Sequence, residues 1–249
     1  MRVEILGTKI DKVTMDEALE KISSFIAEGT PRQVVTLNAE IIYRAQSEEK
    51  LKFLINNADL VTPDGAGVVW AARKLGTPLP ERVTGIDLLQ EIVEKASIYN
   101  WKLYFFGAAP TVAETAAKKL QQKYQNLNKN LKIVGTSHGF ISSNEMPALL
   151  AEINEVKPDV LFVALGAPRQ EYWIQKYMAQ LKVPVCIGVG GSLDVIAGKV
   201  KRAPKIFQKL KLEWLYRLIK EPWRYKRMLA LPKFMLKILQ ETKRKQRTT

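Results

Sequence analysis

Short apolar runs alternate with amphipathic stretches along residues 1–198, and this alternation constrains the fold more than any other feature. The runs have the length and composition of buried β-strands, whereas the stretches between them repeat their apolar residues with helical spacing. Strands that alternate with helices of about 10 to 15 residues indicate βαβ units and therefore a mostly parallel sheet with helices on both faces. The predicted strands cover residues 33–38, 59–62, 102–107, 131–135, 160–165 and 185–189. We therefore predict a Rossmann-like α/β domain over residues 1–198.

The excess positive charge of the chain lies in residues 199–249. The chain has a net charge of +14, and these residues contain 17 Lys and Arg against three Glu. Residues 1–198 then hold 22 basic and 22 acidic side chains, so this part of the chain is neutral. An asymmetry of this kind indicates an anionic partner, which could be nucleic acid, acidic lipid or a polyphosphate.

Helical periodicity in residues 199–249 separates apolar from basic side chains. Leu210, Trp214, Leu215 and Leu218 share one face, and Arg217, Lys220, Arg224 and Arg227 follow spacings of three and four. A basic amphipathic pattern that includes Trp214, Trp223 and Phe234 is typical of a membrane surface. We predict a membrane-associating appendage here; the alternative is a helical hairpin packed on the body or on a partner subunit in a homo-oligomer. The segment lacks a recognisable nucleic-acid fold, so we expect no nucleic acid partner.

The sequence also bears on where the protein works. Its first residues form no signal peptide, because the apolar run is short and Glu4 interrupts it. No window approaches the roughly 18 to 20 apolar residues of a membrane span. The single cysteine, Cys186, lies in an apolar run and favours a reducing compartment. We therefore expect a peripheral protein on the cytoplasmic face of the cell membrane.

Polar and glycine-rich clusters follow five of the predicted strands. They cover residues 36–38, 62–65, 107–110, 166–171 and 188–194. Ligands of such folds bind beyond the carboxyl ends of the strands, so five clusters at one edge indicate a site. The small residues after Gly107 and from Gly188 to Gly191 would let a phosphate approach backbone N–H groups. Neither loop matches the P-loop pattern or a clean G-x-G-x-x-G, which disfavours P-loop nucleotide hydrolysis and a dinucleotide-dependent enzyme.

Several side chains in or near these clusters are candidates for chemistry. Asp64 is the best candidate for a general base, with an N-cap or Asx-turn near Gly65 as the alternative. Asp194 could accept hydrogen bonds from a base or ribose, or cap a helix. Arg82 and Arg169 could pair with phosphate or lie solvated at the surface. The chain has one histidine, His138, and no D-x-D motif, so we expect a metal-independent reaction without cofactors.

Taken together, the motifs resemble those of the WecG/TagA/CpsF glycosyltransferase family over nearly the whole chain. The motifs that carry the resemblance are at residues 38–40, 62–67, 82–85, 166–171, 188–194, 202–204, 213–218 and 221–224. The resemblance is greatest to the members that make the linkage unit of wall teichoic acid. It implies transfer of N-acetylmannosamine from UDP-ManNAc to the C4 hydroxyl of undecaprenyl-diphosphate-linked GlcNAc, with inversion at the anomeric carbon.

The resemblance also implies roles for individual residues. Asp64 would deprotonate the acceptor hydroxyl, and Thr36, Asn38 and Gln170 would position donor and acceptor. The uridine end of the donor would lie at Asp194 and the loop of Gly188, Gly190 and Gly191, with Gly107, Gly166 and Arg169 completing the donor site. Arg82, with Arg217 and Arg224 from the appendage, would neutralise the diphosphate in place of a metal.

Other functions remain open at this point. A family member could use the uronic acid of N-acetylmannosamine or another UDP-hexosamine, which the residues alone do not separate. An NAD(P)-dependent oxidoreductase would share the fold class, and a non-catalytic basic module could bind lipid or RNA. Binding of UDP or of NAD(P) distinguishes these classes.

Overall fold

The computed structural model describes residues 1–204, 206, 207, 213–220, 222 and 225–248. The strands are β1 Arg2–Ile5, β2 Thr8–Asp11, β3 Arg32–Leu37, β4 Leu60–Pro63, β5 Lys102–Gly107, β6 Lys132–Ser137, β7 Val160–Ala164 and β8 Val185–Gly188. The helices of the first 198 residues are α1 Met15–Glu28, α2 Ala39–Arg44, α3 Glu49–Asn57, α4 Ala66–Lys74, α5 Gly85–Tyr99, α6 Val112–Gln125, α7 Met146–Val156, α8 Arg169–Tyr177 and α9 Ser192–Ile196. Helices α10 Glu213–Lys220, α11 Tyr225–Met228 and α12 Ala230–Thr248 follow.

Six strands form one parallel sheet in the order β4-β3-β8-β7-β5-β6. This confirms the predicted α/β fold and all six predicted strands, with small shifts at their ends. The largest shift is in β6, which continues to Ser137, two residues beyond the predicted end.

Helices cover both faces of this sheet, because its buried strands are apolar on both sides. In β5, Leu103 and Phe105 face α1, α5, α6 and α9, whereas Tyr104 and Phe106 face α7 and α8. A third apolar cluster joins β3 and β4 to α2, α3 and α4. The alternation of side chains along each strand therefore divides the core into two layers.

A second, two-stranded sheet precedes the parallel one, and the sequence reading missed it. Strands β1 and β2 form an antiparallel hairpin that turns at Leu6 and Gly7, both with positive φ. The buried carboxylate of Asp11 accepts from Val61 N at 2.9 Å, which attaches the hairpin to β4. Arg2 Nη2 also donates to Ala58 O at 2.5 Å. The hairpin therefore covers the edge strand β4.

The first helix begins where the sequence predicts a capping box. Thr14 Oγ1 accepts from Glu17 N at 3.2 Å, and the Glu17 carboxylate accepts from Thr14 N at 2.8 Å. The helix ends at Gly29, whose φ of 69° is in the left-handed region that favours glycine. The capping box and the glycine are local signals for the two ends of α1, and Glu81 Oε2 also accepts from Met15 N at 2.8 Å.

The last helix packs on the body of the protein. Phe234 and Ile238 of α12 are buried in the cluster that contains α2 and α4, and the Lys237 ammonium lies over the Tyr43 ring. The prediction that Phe234 faces a membrane surface is therefore wrong. Met235, Leu236 and Leu239 of the same helix are exposed. Among the described residues, none of the helices has the length and apolar composition needed to cross a membrane.

Candidate active site

The five polar clusters lie at one edge of the parallel sheet. They follow β3, β4, β5, β7 and β8, which are neighbours in the order β4-β3-β8-β7-β5. The carboxyl ends of parallel strands meet at the same edge, so the topology brings together the segments that sequence analysis selected. Strand β3 lies between β4 and β8. Asn38 and Asp64 directly follow β3 and β4, and Gly188 is the last residue of β8, so all three lie at the ends of adjacent strands.

Asp64 lies between the end of β4 and the first residue of α5. Its Oδ2 accepts a hydrogen bond from Gly85 N at 3.2 Å, and its own N–H donates to Leu37 O at 2.8 Å. The alternative of an N-cap for α4 is wrong, because the N-cap is Gly65 and no side chain bonds there. A helix N-terminus stabilises a carboxylate, so α5 fixes a half-buried negative charge at the edge of the sheet.

Thr36 lies beneath this contact. Its buried hydroxyl donates to Gly188 O at 2.9 Å and so joins β3 to the end of β8. A Cβ at position 85 would lie 3.2 Å from Thr36 Oγ1, so a side chain there would require Thr36 to shift slightly. Thr36 therefore supports the backbone beneath the candidate site. Its predicted contact with a substrate stays a prediction.

Asn38 caps α2 at the end of β3. Its Oδ1 accepts from Ile41 N at 3.0 Å, which satisfies one of the first N–H groups of the helix. The side chain is half-buried. With the oxygen held by the cap, the amide nitrogen is the atom that could donate to a substrate.

Gln170 lies beneath the glycine loop that follows β8. Its Oε1 accepts from Gly190 N at 3.0 Å, and its Nε2 donates to Glu171 Oε1 at 2.8 Å. A Cβ on Gly188 would lie 2.5 Å from Gln170 Nε2, so a side chain at this strand position would force Gln170 to move. Gln170 is 2% exposed and contacts the loop backbone, so it supports the loop. Its predicted contact with donor or acceptor stays a prediction.

The glycine loop leads into a short helix that carries Asp194. Gly190 has a φ of 53°, and Gly191 is the N-cap of the five-residue helix α9. Asp194 lies in the first turn, and its carbonyl accepts from the N–H groups of Lys199 and Val200. A Cβ on Gly191 would lie 3.7 Å from Asp194 Oδ2, so the Asp194 carboxylate lies beside the loop.

The ends of β5 and β7 approach each other closely. Gly107 has a φ of 118°, and a Cβ there would lie 2.6 Å from the carbonyl carbon and oxygen of Ala164. Gly166 also has a positive φ and is half-buried, whereas Arg169, the first residue of α8, is exposed. The structure therefore brings Gly107 and Gly166 to the site edge.

Arg82 does not lie solvated at the surface. Its Nη1 is 3.0 Å from Glu213 Oε2, at the start of α10. Arg202 lies within 2.7 Å of an Asp87 carboxylate oxygen and 3.6 Å of Glu213 Oε1. Two arginines and two carboxylates therefore lie near the N-terminus of α5. The Asp64 carboxylate, which accepts from Gly85 N, lies at the same helix end. The sequence reading assigned no role to Arg202 or Glu213, although both lie in motifs that carry the family resemblance.

Two arginines of the C-terminal appendage were predicted to contact the diphosphate. Arg217 lies in α10, but its side chain is outside the described part of the structure, and Arg224 is outside it entirely. Their predicted roles at the diphosphate therefore stay predictions. The structure does show that α10 begins with a carboxylate that contacts Arg82.

Sequence analysis missed one buried ionisable group at this edge. Glu171 is 1% exposed, and burial raises the pKa of its carboxyl to about 7. The signal was its position beside Gln170 in a motif at a strand end. Over the described residues, no three or more His, Cys, Asp and Glu side chains group as metal ligands would. Metal independence stays a prediction.

The fold and the polar clusters define an α/β protein with a candidate active site at the carboxyl edge of a parallel sheet. The chain belongs to the glycosyl transferase WecG/TagA/CpsF family, whose sequence model matches residues 3–248. It is 39% identical over 239 residues to the N-acetylglucosaminyldiphosphoundecaprenol N-acetyl-beta-D-mannosaminyltransferases of Staphylococcus aureus strains MW2 and NCTC 8325. These matches cover 95% of this chain and 92% of each relative. The protein is therefore a glycosyltransferase, and the oxidoreductase and non-catalytic alternatives are set aside.

Proposed function

We propose that this enzyme transfers N-acetylmannosamine from UDP to the C4 hydroxyl of undecaprenyl-diphosphate-linked GlcNAc. The observation that carries the proposal is the 39% identity to enzymes of that name across nearly the full length of both chains. The product would be the β-linked disaccharide on its lipid carrier.

Asp64 is the proposed general base for this reaction. Inversion requires one displacement, in which the acceptor oxygen attacks the anomeric carbon as the bond to the UDP oxygen breaks. The Asp64 carboxylate takes the C4 hydroxyl proton, and UDP leaves with the bonding electrons. The hydrogen bond from Gly85 N holds one carboxylate oxygen in place, so the base is oriented before substrate binds.

Arg82 is the proposed partner of the leaving diphosphate. It lies two residues before Thr84, the N-cap of α5, on the segment that also carries Gly85 and its bond to Asp64. A guanidinium can contact two phosphate oxygens at once and stabilise charge as it develops on UDP. Because Arg82 contacts Glu213 in this structure, a bound diphosphate would have to share or replace that carboxylate.

The acceptor's lipid places the proposed reaction at a membrane surface. Trp214, Met235, Leu236 and Leu239 are exposed in the last part of the chain, where the basic residues are concentrated. Each basic side chain near an anionic leaflet contributes about 1 kcal/mol to binding, and salt weakens this attraction. We propose peripheral association with the cytoplasmic leaflet through this region.

A donor screen tests the proposed function. The purified chain would be given UDP-ManNAc, its uronic acid or UDP-GlcNAc, with a short-chain lipid-diphosphate GlcNAc as acceptor. We expect a β-1,4-linked disaccharide from UDP-ManNAc and unchanged rates in excess chelator. Preference for another donor would overturn the assigned sugar, and strict metal dependence would overturn the role of the arginines.

A further inference from the structure

Glu171 lies in the first turn of α8, behind the glycine loop, and its carboxyl group is almost completely removed from solvent. Its Oε1 accepts from Gln170 Nε2 at 2.8 Å. Among the residues that the structure describes, Oε2 has no hydrogen-bond partner. A buried carboxyl with one unpartnered oxygen costs folding free energy, so its place in the site calls for a physical reason.

The reason lies in the orientation of the neighbouring amide. Gln170 Oε1 must face the N–H of Gly190, which it accepts at 3.0 Å. A rotation of the amide by half a turn would place its NH₂ group against that N–H, so two donors would face each other. The Glu171 oxygen favours the observed orientation because it accepts from the other end of the same amide.

Two further hydrogen bonds, from neighbouring strands, hold the loop that Gln170 contacts. Thr36 Oγ1 donates to Gly188 O at 2.9 Å, and Val189 N donates to Val163 O at 2.9 Å. Gly190, with its positive φ, is the residue of the loop that Gln170 holds. The backbone of Glu171 is itself fixed, since its carbonyl accepts from Gln33 Nε2 at 3.4 Å.

We propose that Glu171 is a positioning residue for donor binding: it orients the Gln170 carboxamide, which in turn sets the backbone of Gly190. The assignment rests on the proposed function, in which the loop of residues 188–191 holds the nucleotide end of the donor. Glu171 acts as a hydrogen-bond acceptor, and both the carboxylate and the neutral acid have an oxygen that can accept. Burial raises its pKa to about 7, so the neutral acid is well populated near neutral pH.

Two substitutions separate the acceptor from the bulk of the side chain. Glu171→Gln keeps an acceptor oxygen, whereas Glu171→Met keeps the volume and removes the acceptor. Titration of UDP by calorimetry and initial rates over a range of donor concentrations would be measured for both. We expect Glu171→Gln to stay within about twofold of wild type and Glu171→Met to raise the UDP Kd and the donor KM about tenfold, as loss of one buried hydrogen bond would. The kcat should change less than KM, and Glu155→Met on the exposed face of α7 is the matched control.

Amide exchange gives a readout that does not depend on the reaction. The Gly190 N–H should exchange faster in Glu171→Met than in wild type and Glu171→Gln, because its acceptor is no longer held. Unchanged UDP binding and Gly190 exchange in Glu171→Met would overturn the proposal. Equal defects in both variants would show that the charge, and not the acceptor, matters. If wild type itself bound no UDP, the proposed donor site would fail, while Gly190 exchange would still decide whether Glu171 positions the loop.

Discussion

The absence of a single Cβ at Gly188 decides how closely Gln170 can approach β8. An alanine there would place its Cβ 2.5 Å from Gln170 Nε2, inside the contact distance of real side chains. We expect Gly188→Ala to lower the free energy of unfolding by about 1–3 kcal/mol, the usual effect of overpacking. Chemical denaturation measures this. Gly191→Ala is the control, since its Cβ would meet Asp194 at an ordinary 3.7 Å; equal stability of the two variants would contradict the close contact.

The proposed role of Asp64 is tested by removing its basicity alone. Asn keeps an oxygen for the Gly85 N–H, so Asp64→Asn should fold normally. We expect kcat to fall by about 10²–10⁴, the contribution of a positioned general base. Rates with the lipid acceptor measure this, and Asp16→Asn on the exposed side of α1 is the control. Turnover near the wild-type rate would remove Asp64 as the base.

The buried Glu171 carboxyl should make stability depend on pH. Burial raises its pKa from 4.5 to about 7 in the folded chain. Between about pH 4.5 and 7 the unfolded chain has lost a proton that the folded chain retains, so the free energy of unfolding falls as pH rises through this window. Glu171→Gln lacks this term. Its unfolding free energy relative to wild type should therefore increase from pH 4.5 to 7 and then level off, and a flat difference in denaturation experiments would contradict the shift.

At the scale of elements, α12 is part of the folded core. Phe234 is 1% exposed among residues of α2 and α4, so Phe234→Ala should cost about 3–5 kcal/mol of unfolding free energy. Leu236→Ala on the same helix removes a side chain that is 61% exposed and should change stability by less than about 0.5 kcal/mol. Denaturation curves compare the two. Identical curves would show that the helix does not dock in solution.

The elements that sequence could predict are those in which local pattern and tertiary burial agree. Strands β5 and β7 are apolar on both faces, so they can be recognised without knowledge of their neighbours. The hairpin of β1 and β2 was not predicted, because its strands are short and mix charged with apolar residues. Periodicity found the amphipathic face of α12 but not what covers it, since lipid and protein select the same apolar residues.

For the candidate site, sequence predicted which segments come together but not the structural contacts of each side chain. Strand-end clusters identified Asp64, Asn38 and the glycine loop, because topology alone brings such ends together. Sequence could not show that Thr36 and Gln170 support the backbone of the glycine loop. Their partners, Gly188 and Gly190, lie 152 and 20 residues away along the chain. The ion pair of Arg82 with Glu213 spans 131 residues and is equally invisible to local pattern.

At the scale of the whole molecule, membrane binding is best tested without deleting the tail. Truncation at residue 198 would also uncover the surface that Phe234 and Ile238 bury, so loss of activity would have two causes. Replacement of the exposed Met235, Leu236 and Leu239 by Ser leaves that packing in place. We expect severalfold weaker co-sedimentation with anionic vesicles, and little binding of either protein to neutral ones. Phe53→Ser, at a 63% exposed position of α3, is the control; unchanged binding of the triple variant would exclude this face.

The contact of Glu213 with Arg82 joins the start of α10 to the segment that precedes α5. Under the proposed function, the nucleotide's phosphates and the first carboxylate of α10 compete for one guanidinium. Equilibria that share a component are coupled reciprocally: whatever draws α10 away from the body raises affinity for the sugar nucleotide, and the bound nucleotide loosens α10 by the same free energy. The enzyme would then bind its donor most tightly when another partner holds α10 away from Arg82.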